Sequence, residues 1–310
     1  MTIIRLIAVL ALLLPTLVRA ADPPAKKPIR VLIWDEQQPA QAKAYGGKFL
    51  GETIAEYLQK NPLLEVKTAA LKDPDQGLAK EALDNTDVLI WWGHLQHRQV
   101  KWETGDQIVE RIKAGKLAMI ALHSAQGSSP FMRAMNARAI DDALKTLPEA
   151  DRAKARLNLI YPSNKAIKRD TPLTPSVEKK IAADGTITLD ISLPHCVVPS
   201  WREDGEVTHV TTMLPEHPIA KDLPKTWDVP HDEMYDEPFH VPTPDAVIFE
   251  EKWDKGEHLR GGMLWNLGLG KVFYFQPGHE TYGVYKEALP LKVVENAAVW
   301  LGTQVSQDPH

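Results

Sequence analysis

The chain has 310 residues, 36 Lys and Arg against 41 Asp and Glu, and a single cysteine. The resulting formal charge of −5 gives no electrostatic footing for nucleic acid. Cys196 can form no internal disulfide, so the fold must stand on its hydrophobic core; the thiol reads as a small buried hydrophobe. The chain opens with Arg5, an apolar run from Leu6 to Leu14, and small residues at Ala20 and Ala21. That order is a secretory signal peptide, with an apolar run too short for a comfortable membrane span. We expect a cleaved leader over 1–21, a proline- and lysine-bearing tether over 22–28, and a periplasmic or secreted protein without stable membrane insertion.

"IRVLIW" (29–34) follows Pro28 as a continuous apolar run, the pattern of a strand buried on both faces. "GKFLGETIAEYLQKN" repeats its apolar residues at helical spacing until Asn61-Pro62 stops it. "LEVKTAAL", "DVLIWWGH" and "LAMIALHSAQG" read as further strands, with the helix "TGDQIVERIKAG" between the last two. Strands and helices in alternation predict a doubly wound α/β sheet flanked by helices. From about 134 to 192 the sequence turns charged, then polar and proline-bearing, and we read an inserted helical or loop segment covering part of the body. Strand-like runs resume with "EVTHVTTML", "DAVIFEE", "GGMLWNLG" and "GKVFYFQPG"; the glycines between the last two predict a hairpin. "ALPLKVVENAAVWLG" closes a single domain over 29–303, leaving a short tail.

In open α/β sheets ligands bind outside the carboxyl ends of the strands. Asp35 and Glu36 follow the first apolar run, His94 and His97 the third, His123 the fourth, and His279 and Glu280 the last. Several strands delivering ionisable groups to one rim point to a site. "LHSAQGSSPF" resembles a nucleophile elbow with His123 at the turn, and imidazole can serve there as acid, base or metal ligand. "HDEMYDEPFH" (231–240) crowds four carboxylates between two histidines, with Tyr235 and Phe239 to anchor the loop. Such residues could ligate Zn²⁺, Mn²⁺ or Fe²⁺; acid–base chemistry without a metal uses the same types. His217-Pro218 reads as a structural turn. Trp34 could stack on a sugar face or pack in the core.

"VLIWWGHLQHRQV", "LHSAQGSSPF", "WREDGEV", "EHPIA", "DEMYDEPF" and "PGHETY" occur in this order. Together they resemble the ThuA-like (trehalose-utilisation) family, a branch of the class I glutamine-amidotransferase-like superfamily. The match covers roughly 29–133 and 196–302. The resemblance implies a flavodoxin-like, mostly parallel sheet without the amidotransferase cysteine, and hence no glutaminase activity. It implies a small-molecule carbohydrate substrate, such as a disaccharide or keto-sugar, and a divalent metal. By motif match it carries over His94, His123, Glu233, Glu237, His279 and Glu280 as site residues, with His94, His123 and His279 as metal ligands. The sequence departs from the family where Gln37 and Gln38 follow Glu36, and where Leu50 or Gly51 replaces a helix-start histidine. Three readings follow: a sugar hydrolase, lyase or isomerase in which Glu280 orients His279; a sugar-binding protein that has lost turnover; or a structural scaffold.

Overall fold

The computed structural model describes residues 27–163 and 166–305. The expected leader and the greater part of the tether and tail lie outside them. The apolar runs form β1 (Ile29–Asp35), β2 (Leu64–Ala70), β3 (Val88–Trp92) and β4 (Ala118–Leu122). The helices between them are α1 (Pro39–Ala44), α2 (Leu50–Leu58), α3 (Lys80–Asp84) and α4 (Trp102–Lys113). After β4 come α5 (Ser129–Lys145) and the short α6 (Glu149–Arg152). Every residue of β3 and β4 is buried, as an all-apolar strand requires.

The three strands β5 (Arg156–Ile160), β6 (Ser176–Ile181) and β7 (Ile187–Ser192) form a small separate sheet. Next come β8 (Ser200–Arg202), β9 (Thr208–Thr212), β10 (Thr226–Val229) and β11 (Met234–Asp236). The last strands are β12 (Ala246–Lys252), β13 (His258–Leu267) and β14 (Gly270–Phe275), and α7 (Ala288–Gly302) closes the fold. The expected hairpin is the antiparallel β13–β14 pair.

The main sheet has nine strands in the order β10-β9-β12-β13-β14-β4-β3-β1-β2. From β2 to β14 all neighbours are parallel, in the flavodoxin-like order 2-1-3-4-5 with β14 as the fifth strand. Beyond β14 the pairings are antiparallel, so β13 and β9 run against the rest. Alternation along each strand builds two cores. Ile33, Ile90, Trp92, Ile120, Leu122 and Phe273 pack under α2 and α7. Leu32, Trp34, Leu89, Trp91, Met119 and Tyr274 pack under α4 and α5. Burying each of these side chains stabilises the fold by about 1.5–3 kcal/mol before entropy is counted.

The stretch read as an insertion divides in two. Helix α5 starts at Ser129, before the expected boundary, and Phe131, Ala134 and Met135 sit in the main core. The added piece is the β5–β7–β6 sheet, whose Leu189 and Ile191 bury against Ala143 and Leu147 at the end of α5. It is strand, where helices or loop were expected, because Ile187, Leu189 and Ile191 recur at a spacing of two within polar sequence. Trp34 is fully buried and stacked on Trp91 at 4.0 Å, so it offers no face to a ligand. Cys196 is fully buried, and burial pushes its thiol pKa up. No helix among the described residues is long and apolar enough to cross a membrane.

Candidate active site

Three parallel strands end side by side, and each hands over an imidazole. His94 follows β3 by two residues, His123 follows β4 directly, and His279 follows β14 across Gln276, Pro277 and Gly278. His123 takes a left-handed φ of 53°, a conformation uncommon for a residue with a Cβ. That turn is the elbow foreseen in the sequence. Gly278 has φ 140°, and a Cβ there would lie 2.9 Å from the Tyr285 ring, so only glycine lets the loop pass. The ring centroids are 6.0 Å apart for His94–His123 and 5.3 Å for both His94–His279 and His123–His279. The rings stand nearly perpendicular to one another, with edges turned toward a shared space.

Hydrogen bonds fix which ring nitrogen is free. His123 Nδ1 donates to the Gln276 carbonyl at 2.9 Å, so Nε2 faces the Glu233 Oε2 at 3.1 Å. His94 Nδ1 donates to both oxygens of Glu280, at 2.9 and 3.0 Å, leaving its Nε2 unengaged. Glu280, expected to orient His279, thus holds His94 instead; its nearest approach to His279 Nε2 is 3.7 Å. Thr281 meets His279 at Nδ1, its hydroxyl at 2.9 Å and its N–H donating at 3.3 Å. His123, Glu233, His279 and Glu280 are almost sealed, whereas the His94 side chain is 26% exposed and opens the cluster to solvent.

Burial alone would lower the pKa of His123, but the Glu233 carboxylate, with Asp232 and the Gln276 carbonyl, holds it above the ordinary value. His279 goes the other way: burial, then the charge of His123, lowers it to about 4. Burial would raise Glu280, yet the His94 hydrogen bond and the charge on His279 bring it down to about 2. Two histidines of one cluster are therefore driven apart, the usual mark of a divided acid and base assignment.

Buried carboxylates hold the loops that carry these rings. Glu36 accepts backbone N–H bonds from Leu95, Gln96 and His97 at 2.7–2.9 Å, which pins the turn bearing His94. Asp232, whose pKa burial raises to about 6, accepts from the N–H groups of Gly278 and His279 at 3.1–3.3 Å. Asp35 accepts from Gly51 N–H at 2.7 Å, and a Cβ on Gly51 would come within 2.9 Å of the Asp35 side chain. A side chain in place of the absent family histidine would therefore collide there.

Of the carried-over residues, the structure brings together His94, His123, Glu233, His279 and Glu280. Glu237 is not among them: Arg260 pairs with it at 2.7 Å, and it accepts the Phe239 N–H. Its sequence closeness to Glu233 misled, since Arg260 on β13 draws it away. His97 is fully buried with both ring nitrogens unpartnered, and burial lowers it to about 4. His209 pairs with Asp228 at the surface, and His217 accepts the Ile219 N–H of its own turn. Tyr235, read as an anchor, also enters the site: its ring stacks on His123 at 5.2 Å, and its hydroxyl lies 2.8 Å from Ser124 Oγ. Gln276 was missed as a site residue, and Asp232 was read only as one of the four carboxylates of its loop. Their role is to brace backbone, and the only local signal was their placement beside His279 and Glu233.

The donor set also fits a divalent cation. Ligand atoms of His123, Glu233 and His279 lie within 4.8 Å of one another, as do those of His94, His279 and Glu280. Glu233 Oε2 is buried yet receives no aligned hydrogen bond, although His123 Nε2 is 3.1 Å away. Such a pair, close but poorly aligned, could take a metal ion as a shared partner.

The family model described as "ThuA: Trehalose utilisation" matches residues 30–301. A ThuA-like protein from Parabacteroides merdae superposes with a TM-score of 0.56 at 15% identity, covering 92% of this chain and 93% of that one. A ThuA-like protein from Bacteroides uniformis gives 0.50 at 13% identity, covering 91% and 95%. At such identity these structures speak for the fold alone. No curated protein sequence matches the chain.

Proposed function

The chain belongs to the ThuA (trehalose-utilisation) family, and from that premise we propose that it is an exported enzyme acting on a keto-disaccharide by proton transfer beside the carbonyl. The observation that carries this reading is a Glu280–His94 dyad facing a His123–Glu233 pair across 6.0 Å. Glu280 fixes the His94 proton on Nδ1 and stabilises the imidazolium that forms when Nε2 takes a proton, the logic of a carboxylate–histidine base. A carbonyl acidifies its neighbouring C–H, so His94 Nε2 removes that proton and the electron pair moves onto the carbonyl oxygen. His123, held protonated by Glu233, donates to that oxygen. As the enol returns that proton to His123, the carbonyl re-forms and the glycosidic oxygen one carbon further on is expelled with the proton from the His94 imidazolium; delivery of the His94 proton to the former carbonyl carbon instead gives the isomer. Neither outcome needs a covalent nucleophile.

The orphaned Glu233 Oε2 favours a second form of the same reading, in which His123, Glu233 and His279 hold a zinc, manganese or iron(II) ion. Such an ion would supply Lewis-acid polarisation of the carbonyl; His94 and Glu280 keep their roles. The test is turnover of 3-keto-disaccharides by the purified protein and by His94→Ala, with binding measured alongside. Turnover lost while binding persists supports the enzyme. Binding without turnover in the parent protein across the panel would leave a sugar-binding accessory protein.

A further inference from the structure

A sugar-directed site needs a surface that grips a ring, and the nearly sealed imidazole cluster offers none. We propose that Trp201 and Glu203 form a saccharide-binding subsite at the mouth of the cluster. The indole face stacks on the C–H face of one pyranose ring, and the Glu203 carboxylate accepts hydrogen bonds from that ring's hydroxyls. The proposal rests on the sugar reading above.

Trp201 is 63% exposed, whereas Trp34, Trp91, Trp92, Trp227, Trp253 and Trp265 are buried. Trp102, also exposed, already carries the Arg133 guanidinium 4.9 Å above its ring. In the antiparallel β8–β11 pair, Trp201 stands directly opposite Tyr235. Opposed residues project from the same face with Cβ atoms about 5 Å apart. Tyr235 in turn stacks on His123. Two residues along from Trp201, just past the end of β8, the half-exposed Glu203 reaches to 3.8 Å from His279 Nε2. Trp201 is thus flanked, across the strand and along it, by residues that each meet an imidazole.

The platform is held in place from behind. Arg202, of opposite parity, is tied into ion pairs with Asp204, Glu206 and Glu257. Tyr282, 5.6 Å from His279, packs against Gly205 in the same segment. A ring-binding surface fixed before the ligand arrives loses less entropy on binding. A pyranose has an apolar C–H face and a rim of hydroxyls, and an exposed indole beside an exposed carboxylate matches both.

The test titrates the purified protein with trehalose, sucrose, maltose and their 3-keto derivatives by calorimetry, with saturation-transfer NMR on the sugar C–H protons. Trp201→Ala should weaken binding about tenfold or more while Trp201→Phe keeps most of it. The saturation-transfer signal from one ring's C–H protons should fall with Trp201→Ala, and Glu203→Gln should weaken binding by a smaller factor. Unchanged affinity in Trp201→Ala overturns the subsite and leaves the sugar reading standing. No binding of any panel member by the parent protein overturns the sugar reading and the subsite with it. A dimer dissociated by Trp201→Ala at unchanged sugar affinity would assign the indole to a protein interface and overturn the subsite.

Discussion

Among the described residues histidines come together in two places, and the two differ in how their rings are held. His195 and His240 lie 5.4 Å apart and perpendicular, a spacing indistinguishable from that of His94, His123 and His279. The difference is what each Nδ1 does. In the strand-end cluster, the Nδ1 atoms of His94 and His123 donate to Glu280 and to the Gln276 carbonyl, which leaves His94 Nε2 open and turns His123 Nε2 to the Glu233 carboxylate. In the other pair, His240 Nδ1 accepts the Thr174 N–H at 3.3 Å, and the Thr174 hydroxyl lies 2.8 Å from His195 Nδ1. There each Nδ1 is spent on fastening the added sheet's segment to the body, and the buried His240 Nε2 has no partner. A ring whose Nδ1 donates to an acceptor presents Nε2 as a base or ligand, whereas a ring whose Nδ1 accepts a hydrogen bond does not.

The sharpest way to break this contrast is to remove a ring from the cluster. His94→Ala or His123→Ala should lower turnover of a keto-disaccharide by about 10²–10⁴-fold, in a protein that still gives a native melting transition. Full activity in both would erase the distinction between the two groups of histidines. Next in size is the metal: elemental analysis of protein purified without chelator should find a divalent ion that Glu233→Ala no longer retains. Glu280→Gln, which loosens His94 without removing it, should cost about 10–100-fold in metal affinity or activity.

The same Glu280 sets an acid limb of stability. Its folded pKa of about 2 lies below the ordinary value of 4.5. The stability it contributes is therefore complete above pH 4.5 and is lost as pH falls toward 2. A plot of Tm against pH should drop over that window in the parent protein and be flatter in Glu280→Gln; identical profiles would remove Glu280 from the paired state. Glu36→Ala should destabilise by about 1–3 kcal/mol, because it strands the N–H groups of the His94 turn, measured by urea denaturation. The smallest effect belongs to the other pair. His195→Gln should leave turnover unchanged and show only as faster proteolysis of the added sheet; a loss of turnover there would merge the two regions into one site.

The strands and the rim were readable because their signals are local. "DVLIWW" and "AMIAL" carry no polar residue that could face water beyond Asp87, and the polar groups that follow them must emerge at the same end of a parallel sheet. The elbow at His123 could be placed for the same reason. Pairing was not readable, because it depends on which loops meet. Glu280 sits next to His279 in the chain but 186 positions from His94, its partner. Glu237 looked equivalent to Glu233 until Arg260 claimed it. Trp34 stood at a strand end, yet the adjacent strand supplied Trp91 to cover it. The most exposed tryptophan among the described residues is instead Trp201, on a three-residue strand too short to show any period.

Strand β14 lies between β4 and β13, in the middle of the sheet, though it is the last strand in the chain. Synthesis therefore completes the heart of the molecule last. Until residue 275 has been made, β4 presents a bare apolar edge, the kind of surface that recruits wrong partners. A nascent chain cut short before that point would carry two of the three imidazoles and no centre to seat them. A seated imidazole cluster is thus also a report that synthesis has passed β14 and His279.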